Sequence, residues 1–98
     1  MDKKKYSVYI MTNANKSVLY IGVTSNMPKR IYKHKHGIDE KSFTNKYKLS
    51  KLVYLEIFEN PKQAIAREKQ LKKWKREWKE VLIENANKYW KDLSERSK

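Results

Sequence analysis

The sequence predicts one small α+β domain, a three-stranded antiparallel sheet flanked by helices in a sandwich-like arrangement, with the order β-β-α-β-α-α. Three short segments rich in Tyr, Val, Ile and Leu predict the strands, and two helical stretches each begin with a capping residue near a proline. A chain of 98 residues has room for a single modest core. Three strands with helices packed against them therefore form one domain over residues 1–98, with a core of about residues 6–93.

The first two predicted strands form a hairpin. They cover residues 6–11 and 18–23, and residues 12–17 between them have the polar turn composition and the length of a hairpin loop. Residues 52–58 form the third and most apolar strand. Gly22 lies inside the second strand, which usually marks a bulge or a place where another group must approach the backbone closely.

A short helix follows the hairpin. Ser25 or Asn26 can cap it, Pro28 suits its first turn, and Gly37 marks its expected end. The polar and basic residues 38–50 are predicted to form a loop.

A longer helical stretch begins with Asn60 as the cap and Pro61 at the first helical position. Its pattern continues to about Asn85, which is long for so small a domain, so we expect a break near Lys75–Trp78. We expect the tail that follows to pack Trp90 against the body of the domain.

The charge composition indicates a polyanionic partner. The chain has 24 Lys and Arg against 11 Asp and Glu, a formal net charge of +13. Such an imbalance in a short chain favours nucleic acid, including a ribosome-associated role, over an anionic membrane surface. Nothing in the sequence indicates an obligate protein partner.

Several classes of protein are excluded by composition. The absence of cysteine excludes disulfide frameworks, thiolate metal sites and cysteine nucleophiles. The apolar runs are only a few residues long and no apolar leader opens the chain, so we expect neither a membrane span nor a secretory signal. These absences predict a cytoplasmic protein.

One acid stands out in the second helical stretch. Glu68 shares a face with apolar residues spaced at a period of 3.6, namely Ala64, Ile65, Leu71, Trp74, Trp78 and Val81. A carboxylate there is costly unless it is paired, binds a metal or lies at the edge of a cleft. A buried ion pair with Lys or Arg and a functional carboxylate are equal alternatives.

Four further side chains could act on a phosphodiester. Arg30 and His34 share a face of the first helix, with Ile31 turned toward the core; the guanidinium suits phosphate oxygens and the imidazole can carry a proton. The alternative is a solvated basic helix. Tyr9 and Tyr20 could share one face of the sheet, either as catalytic phenols or as ordinary core residues.

A basic series interleaves with two tryptophans. The cations could follow a nucleic-acid backbone and exposed indoles could stack on bases, but we expect the tryptophans in the core and only some cations near phosphate. The series comprises Arg67, Lys69, Lys72, Lys73, Lys75, Arg76 and Lys79 around Trp74 and Trp78. The acids lack the spacing of a two-metal site, so any metal would be one weakly held hard cation.

These motifs together resemble the GIY-YIG nuclease superfamily, and most closely its small stand-alone bacterial members. The segment 7–9, Ser-Val-Tyr, matches the first tripeptide of the family, and 20–22, Tyr-Ile-Gly, matches the second. Arg30 matches the helix arginine, Glu68 the metal-binding glutamate, and Asn87 the late asparagine of many members. The resemblance covers nearly the whole chain.

The sequence also departs from the family pattern. Ser7 replaces the first glycine. Some members have a lysine after the second tripeptide and a tyrosine one turn past the arginine, where this chain has Val23 and His34. With Thr24 and His34, the chain is instead similar to the structure-specific branch of the family, which includes junction-resolving nucleases.

The resemblance implies a metal-dependent endonuclease of DNA, ahead of RNA, that selects structure rather than sequence, in line with a role in repair or recombination. Glu68 would hold one Mg²⁺ or Mn²⁺, and Arg30 would neutralise charge on the phosphate. Tyr9, helped by His34, would take the proton of water, and Tyr20 would position water or phosphate; whether Tyr9 or His34 is the base stays open.

Other residues are predicted to contact the nucleic acid without reading its bases. They are Gly22, Thr24, Lys33, Lys69, Lys72, Lys73, Arg76 and Asn87. The alternative function is a non-catalytic nucleic-acid-binding module, with RNA or the ribosome as its candidate partner.

Overall fold

The computed structural model describes residues 4–36 and 48–94, with side chains described for 4–32 and 48–94. Within these residues the elements follow the predicted order, and the strand ends lie within one residue of their predicted places. They are β1 (Tyr6–Thr12), β2 (Leu19–Thr24), α1 (Met27–His36), β3 (Lys51–Phe58), α2 (Pro61–Lys73) and α3 (Arg76–Ala86). Gly37 and most of the predicted loop 38–50 lie outside the described residues.

The three strands form one antiparallel sheet in the order β2-β1-β3. Tyr9 of the central strand lies opposite Gly22 on one side and Leu55 on the other. The loop between β1 and β2 is closed by Asn13, whose side-chain oxygen accepts hydrogen bonds from the backbone N–H of Ser17 at 2.9 Å and of Val18 at 3.2 Å. These bonds set the hairpin register that determines which side chains share a face.

Each face of the sheet is covered by different elements. On one face, a cluster that includes Val8 and Ile10 packs with residues of α2, α3 and the C-terminal segment. On the other, Tyr9 and Met11 pack with Ile31 of α1. Successive residues of β1 alternate between these clusters, as the pleat of a strand requires. The predicted sandwich-like arrangement is confirmed, and so is the core contact of Ile31.

The break between the two long helices occurs without glycine or proline. Asn60 caps α2 by accepting a bond from the N–H of Lys62 at 2.8 Å, as predicted. At the other end Trp74 and Lys75 are both extended, with ψ of 149° and 153°, and α3 begins at Arg76. The break therefore begins one residue before the predicted window.

The predicted apolar face is wrong at one residue before this break and at two residues after it. Ile65 is exposed, and Trp78 and Val81 expose 54% and 57% of their surface. Two extended residues restart the helical phase, so that Ile83 and not Val81 is buried in α3. A single period of 3.6 residues cannot be extended across such a break. The expectation that Trp78 lies in the core was wrong.

The C-terminal segment packs back on the sheet, as expected from Trp90. Its indole is buried and donates a hydrogen bond to Glu84 at 2.9 Å. Leu52 at the start of β3 pairs with this segment, since its carbonyl accepts from the N–H of Leu93 at 2.7 Å and its N–H donates to Asp92 at 3.1 Å. Among the described helices, none combines the length and the apolar composition that a membrane span needs.

Candidate active site

Tyr9 occupies the centre of the site, and Gly22 makes room for it. Tyr9 is fully buried on β1, and its ring extends over Gly22 of the edge strand β2. A Cβ atom at Gly22 would lie 2.6 Å from Cζ of the tyrosine, closer than real contacts allow. The close approach expected at Gly22 is therefore made by a side chain of the same protein.

Helix α1 brings a guanidinium to this phenol. Nε of Arg30 donates a hydrogen bond to Oη of Tyr9 at 2.8 Å. The helix start holds Arg30 in place, because Asn26 caps it through the N–H of Lys29 at 3.1 Å and accepts the N–H of Arg30 on its carbonyl at 3.1 Å. The bond to Tyr9 and the neighbouring phenol of Tyr20 raise the pKa of Arg30, which keeps its positive charge.

The two tyrosines share a face of the sheet, as predicted. Their ring centroids lie 6.3 Å apart with the planes tilted by 44°. Burial raises the pKa of Tyr9, and the hydrogen bond and charge of Arg30 oppose this shift without cancelling it; the charges of Tyr20 and Glu68 raise it further. The pKa of Tyr9 therefore lies above its ordinary value of 10, and the phenol is neutral at pH 7.

Glu68 lies on α2, the helix that follows β3. Its side chain is only 14% exposed, and its charge acts on the pKa of Tyr9. Nζ of Lys72 lies 2.7 Å from Oε2 of Glu68, one helical turn away. Both alternatives for this acid are therefore compatible with the structure: it forms an ion pair with Lys72, and its charge acts on Tyr9.

A small polar cleft adjoins Arg30. It has a volume of about 340 Å³ and is lined by Thr24, Ser25, Asn26, Lys29 and Arg30. Our sequence reasoning did not assign Ser25, Asn26 and Lys29 to the site, although their position just before Arg30 was a signal for them. The positive charges of Lys29 and Arg30 give the cleft the character of an anion site.

The comparison with known proteins agrees with this geometry. Residues 5–81 match the GIY-YIG catalytic domain. The chain belongs to the GIY-YIG family. Membership places it among nucleases, whose substrates are nucleic acids, and GIY-YIG nucleases generally use divalent metal ions.

Relatives of this GIY-YIG protein are small bacterial proteins named UPF0213. One from Clostridium perfringens is 43% identical over 76 residues, which cover 78% of this chain and 80% of that protein. One from Syntrophus aciditrophicus is 37% identical over 81% of this chain and 90% of its own length. The solution NMR structure of a UPF0213 protein from Bacillus halodurans superposes with a TM-score of 0.52 at 29% identity, covering 81% of this chain and 82% of that one.

The GIY-YIG fold brings together most of the predicted catalytic residues, but not all are described. Tyr9, Tyr20 and Arg30 are in mutual contact, with Glu68 near Tyr9. The backbone of His34 lies in α1, but its side chain and that of Lys33 fall outside the described residues.

Two predicted nucleic-acid contacts have structural partners instead. The buried amide of Asn87 donates to the carbonyls of Val53 at 3.0 Å and Lys91 at 2.8 Å, and accepts the N–H of Lys91 at 3.0 Å. Arg76 pairs with Glu80 at 2.7 Å and donates to the backbone carbonyls of Lys16 and Ser17. These bonds give both side chains a structural role, and their contact with nucleic acid stays a prediction.

The remaining predicted contacts lie near α1 and along α2. Oγ1 of Thr24 accepts the N–H of Asn26 at 3.1 Å, so this side chain supports the start of α1 as well as lining the cleft. Lys69 and Lys73 are exposed on α2, while Lys72 pairs with Glu68. Within the described part of the GIY-YIG domain no three acidic or histidine side chains cluster as metal ligands.

A second charged network, which was not predicted, lies apart from Arg30. Arg67 holds Glu56 through two donors, at 3.0 and 2.9 Å, and Tyr54 also donates to Glu56. Burial, together with the hydrogen bond to Glu56 and its charge, raises the pKa of Tyr54 to about 12, although Arg67 opposes this shift. Burial alone would raise the pKa of Glu56, but the bonds from Arg67 and Tyr54 and the charge of Arg67 lower it. Tyr54 belongs to the cluster with α2, so the network joins that helix to the sheet.

Proposed function

We propose that this GIY-YIG domain is a metal-dependent endonuclease that hydrolyses phosphodiester bonds in DNA and selects its substrate by structure. The observation that supports this most directly is the Arg30 guanidinium on the Tyr9 phenol, with Tyr20 beside them and the charge of Glu68 acting on Tyr9. A phosphoryl-transfer site needs a fixed cation, a proton acceptor and a carboxylate at one point. Residues from β1, β2, α1 and α2 supply all three.

Arg30 would bind the scissile phosphate. Its Nε donates to Tyr9 and Tyr20 also bonds to the guanidinium, so only the remaining N–H donors can face the adjoining cleft. A fixed guanidinium stabilises charge that develops on phosphoryl oxygens at little cost in reorganisation.

Glu68 is the residue suited to hold a metal. Its carboxylate is partly accessible and already has a cation, the ammonium of Lys72, at 2.7 Å, so the site accepts positive charge. A divalent cation bound there would supply Lewis-acid charge at the phosphate and the leaving oxygen. One protein carboxylate is a small ligand set, so most of the affinity would come from the substrate.

Tyr9 can accept a proton from the attacking water only as a phenolate. Burial opposes that form more than the bond from Arg30 favours it, so a Tyr9 base predicts a rate that is still rising at pH 10. If His34 is the base, the rate should level off near the ordinary imidazole pKa of about 6.5. A pH–rate profile of the wild type and of Tyr9→Phe distinguishes these assignments.

Selection by structure follows from the kinds of contact available. Exposed lysines such as Lys69 and Lys73 on α2 suit the phosphate backbone, and backbone contacts carry no sequence information. A branch, nick or flap is the class of substrate that such a surface distinguishes by shape. This preference would be in keeping with a role in DNA repair or recombination.

The deciding experiment compares the wild type with Glu68→Gln on labelled branched, nicked, single-stranded and duplex DNA, with Mg²⁺ or Mn²⁺ and with chelator. We expect cleavage by the wild type only, and only with metal, while Glu68→Gln still binds. Glu59→Gln, a change at an exposed acid, is the matched control and should cleave like the wild type. Salt-sensitive binding without cleavage by any variant would favour the alternative, a non-catalytic module, and RNA would be tested next.

A further inference from the structure

The C-terminal half of the domain carries an apolar groove that the proposed reaction does not use. It lies between the end of α2 and α3, has a volume of about 460 Å³, and is lined by Trp74, Trp78, Val81, Leu82 and Asn85. Trp78 and Val81 each expose more than half of their surface there. Exposed apolar surface of this kind usually marks a binding site.

The groove is built on a supported aromatic pair. The rings of Trp74 and Trp78 meet edge to face, with centroids 6.0 Å apart. Trp74 is half-buried against the core, and the guanidinium of Arg67 lies 5.2 Å from its ring centroid. Trp74 is thus held in place at the base of the groove, while the indole of Trp78 beside it is accessible to solvent.

The surroundings of the groove favour a polyanion over an apolar protein segment. Residues 72–79, Lys-Lys-Trp-Lys-Arg-Glu-Trp-Lys, contain five cations and one acid, in a chain of net charge +13. Arg76 and Lys72 are engaged by Glu80 and Glu68, but Lys73 and Lys75 are exposed near the tryptophans. Lysines around exposed indoles are the combination that binds single-stranded nucleic acid, with phosphate on the cations and bases on the rings.

We propose that this groove binds an unpaired base of the nucleic-acid substrate, stacked on Trp78 and flanked by the amide of Asn85. An amide offers both a donor and an acceptor to the edge of a base, whereas the stacking itself is independent of sequence. The proposal rests on the proposed function and narrows it to substrates that contain a single-stranded segment, such as a flap or a gap.

The test is the affinity of variants for a short labelled oligothymidylate and for a blunt duplex, in chelator so that nothing is cleaved. Trp78→Ala should weaken binding of the oligothymidylate by roughly fivefold or more and leave the duplex unaffected. Trp78→Phe should retain most of the affinity, because a phenyl ring also stacks. In the wild type, oligothymidylate should quench tryptophan fluorescence, and Trp78→Ala should remove most of that quenching.

Tyr89→Ala is the matched control, since Tyr89 is an exposed aromatic beside Lys88 that does not line the groove. It should bind both probes like the wild type. Circular dichroism melting establishes that each variant is folded. The proposal is overturned if Trp78→Ala binds oligothymidylate as tightly as the wild type, or loses equal affinity for the duplex.

The same proteins separate this inference from the proposed function. Metal-dependent cleavage of branched DNA together with unchanged oligothymidylate binding by Trp78→Ala would refute the groove and retain the nuclease. Trp78-dependent binding without cleavage of any substrate would retain the groove and refute the nuclease.

Discussion

Arg30 donates a hydrogen bond from Nε to the phenol oxygen of Tyr9 at 2.8 Å, although 21 residues separate them in the chain. The bond joins α1 to the central strand and fixes a cation at the buried end of the phenol. It couples the two side chains, so each should depend on the other for function.

We expect Arg30→Lys to lower the cleavage rate by roughly 100-fold. The planar guanidinium can donate to Tyr9 and to a phosphate oxygen at the same time, whereas a lysine ammonium lacks this fixed arrangement of donors. Tyr9→Phe keeps the ring and removes the acceptor. Residues that act as a unit are non-additive, so the double variant should be little worse than the poorer single one. Single-turnover cleavage rates of the wild type, the two single variants and the double variant test this. Additive losses would show that the two residues act separately, and Lys62→Gln, at an exposed lysine of α2, should match the wild type.

Gly22→Ala should damage the site through Tyr9. The added Cβ would overlap the ring, and such overpacking costs about 1–3 kcal/mol of unfolding free energy. Urea denaturation measures the loss. The double variant Gly22→Ala/Tyr9→Leu should lose less unfolding free energy than the sum of the two single variants, because the shorter leucine side chain leaves room for the added methyl group. If the loss in the double variant equals the sum of the two single losses, the added methyl group does not clash with the ring of Tyr9.

Lys72→Gln should increase the affinity of the free protein for Mn²⁺. The ammonium of Lys72 lies 2.7 Å from the Glu68 carboxylate and would compete with a metal there. A partly exposed pair is worth at most about 1 kcal/mol, so the gain should not exceed roughly fivefold. Electron paramagnetic resonance of free Mn²⁺ measures it, with Lys62→Gln as control. An affinity that is unchanged or lower would remove Lys72 from this role.

Asn87→Ala should destabilise the protein by about 1–3 kcal/mol, because buried backbone groups of Val53 and Lys91 would lose their partners. Nucleic-acid affinity per folded molecule should be retained. Chemical denaturation and binding titrations of the same preparation test both statements. If Asn87→Ala instead loses nucleic-acid affinity while its unfolding free energy is unchanged, the result would support the nucleic-acid contact predicted for Asn87.

Alkaline pH should weaken the fold partly through Tyr54. Its pKa is near 10 when unfolded and about 12 when folded, so the folded state holds the proton more tightly. The resulting stabilisation is complete below pH 10 and is lost as the pH rises toward 12. The difference in unfolding free energy between wild type and Tyr54→Phe should therefore shrink between pH 9 and 11.5. The lysines titrate in both proteins, so their contribution cancels in this difference. A constant difference would contradict this assignment.

Much of the site could be predicted because it depends on local rules. Side chains in a strand alternate with a period of two, so a hairpin of known register places Tyr9 and Tyr20 on one face. The capping residue and proline place α1 directly after β2, which brings Arg30 to the same end of the sheet.

Other features depended on contacts between distant parts of the chain. The break at Trp74 and Lys75 has no glycine or proline to mark it, and it decides that Trp78 is exposed. The roles of Asn87 and Arg76 depend on which backbone carbonyls the fold brings to them. No periodicity in the sequence carries that information.

The sequence by itself determined the α+β order of elements and the strongly basic charge, since propensity, capping and charge act over a few neighbouring residues. Only the tertiary structure decided that Gly22 makes room for Tyr9, that burial outweighs Arg30 in the pKa of Tyr9, and that Trp78 faces solvent. Each of these outcomes is a balance between packing and solvation across elements far apart in the chain, and that balance exists only after the helices have closed on the sheet.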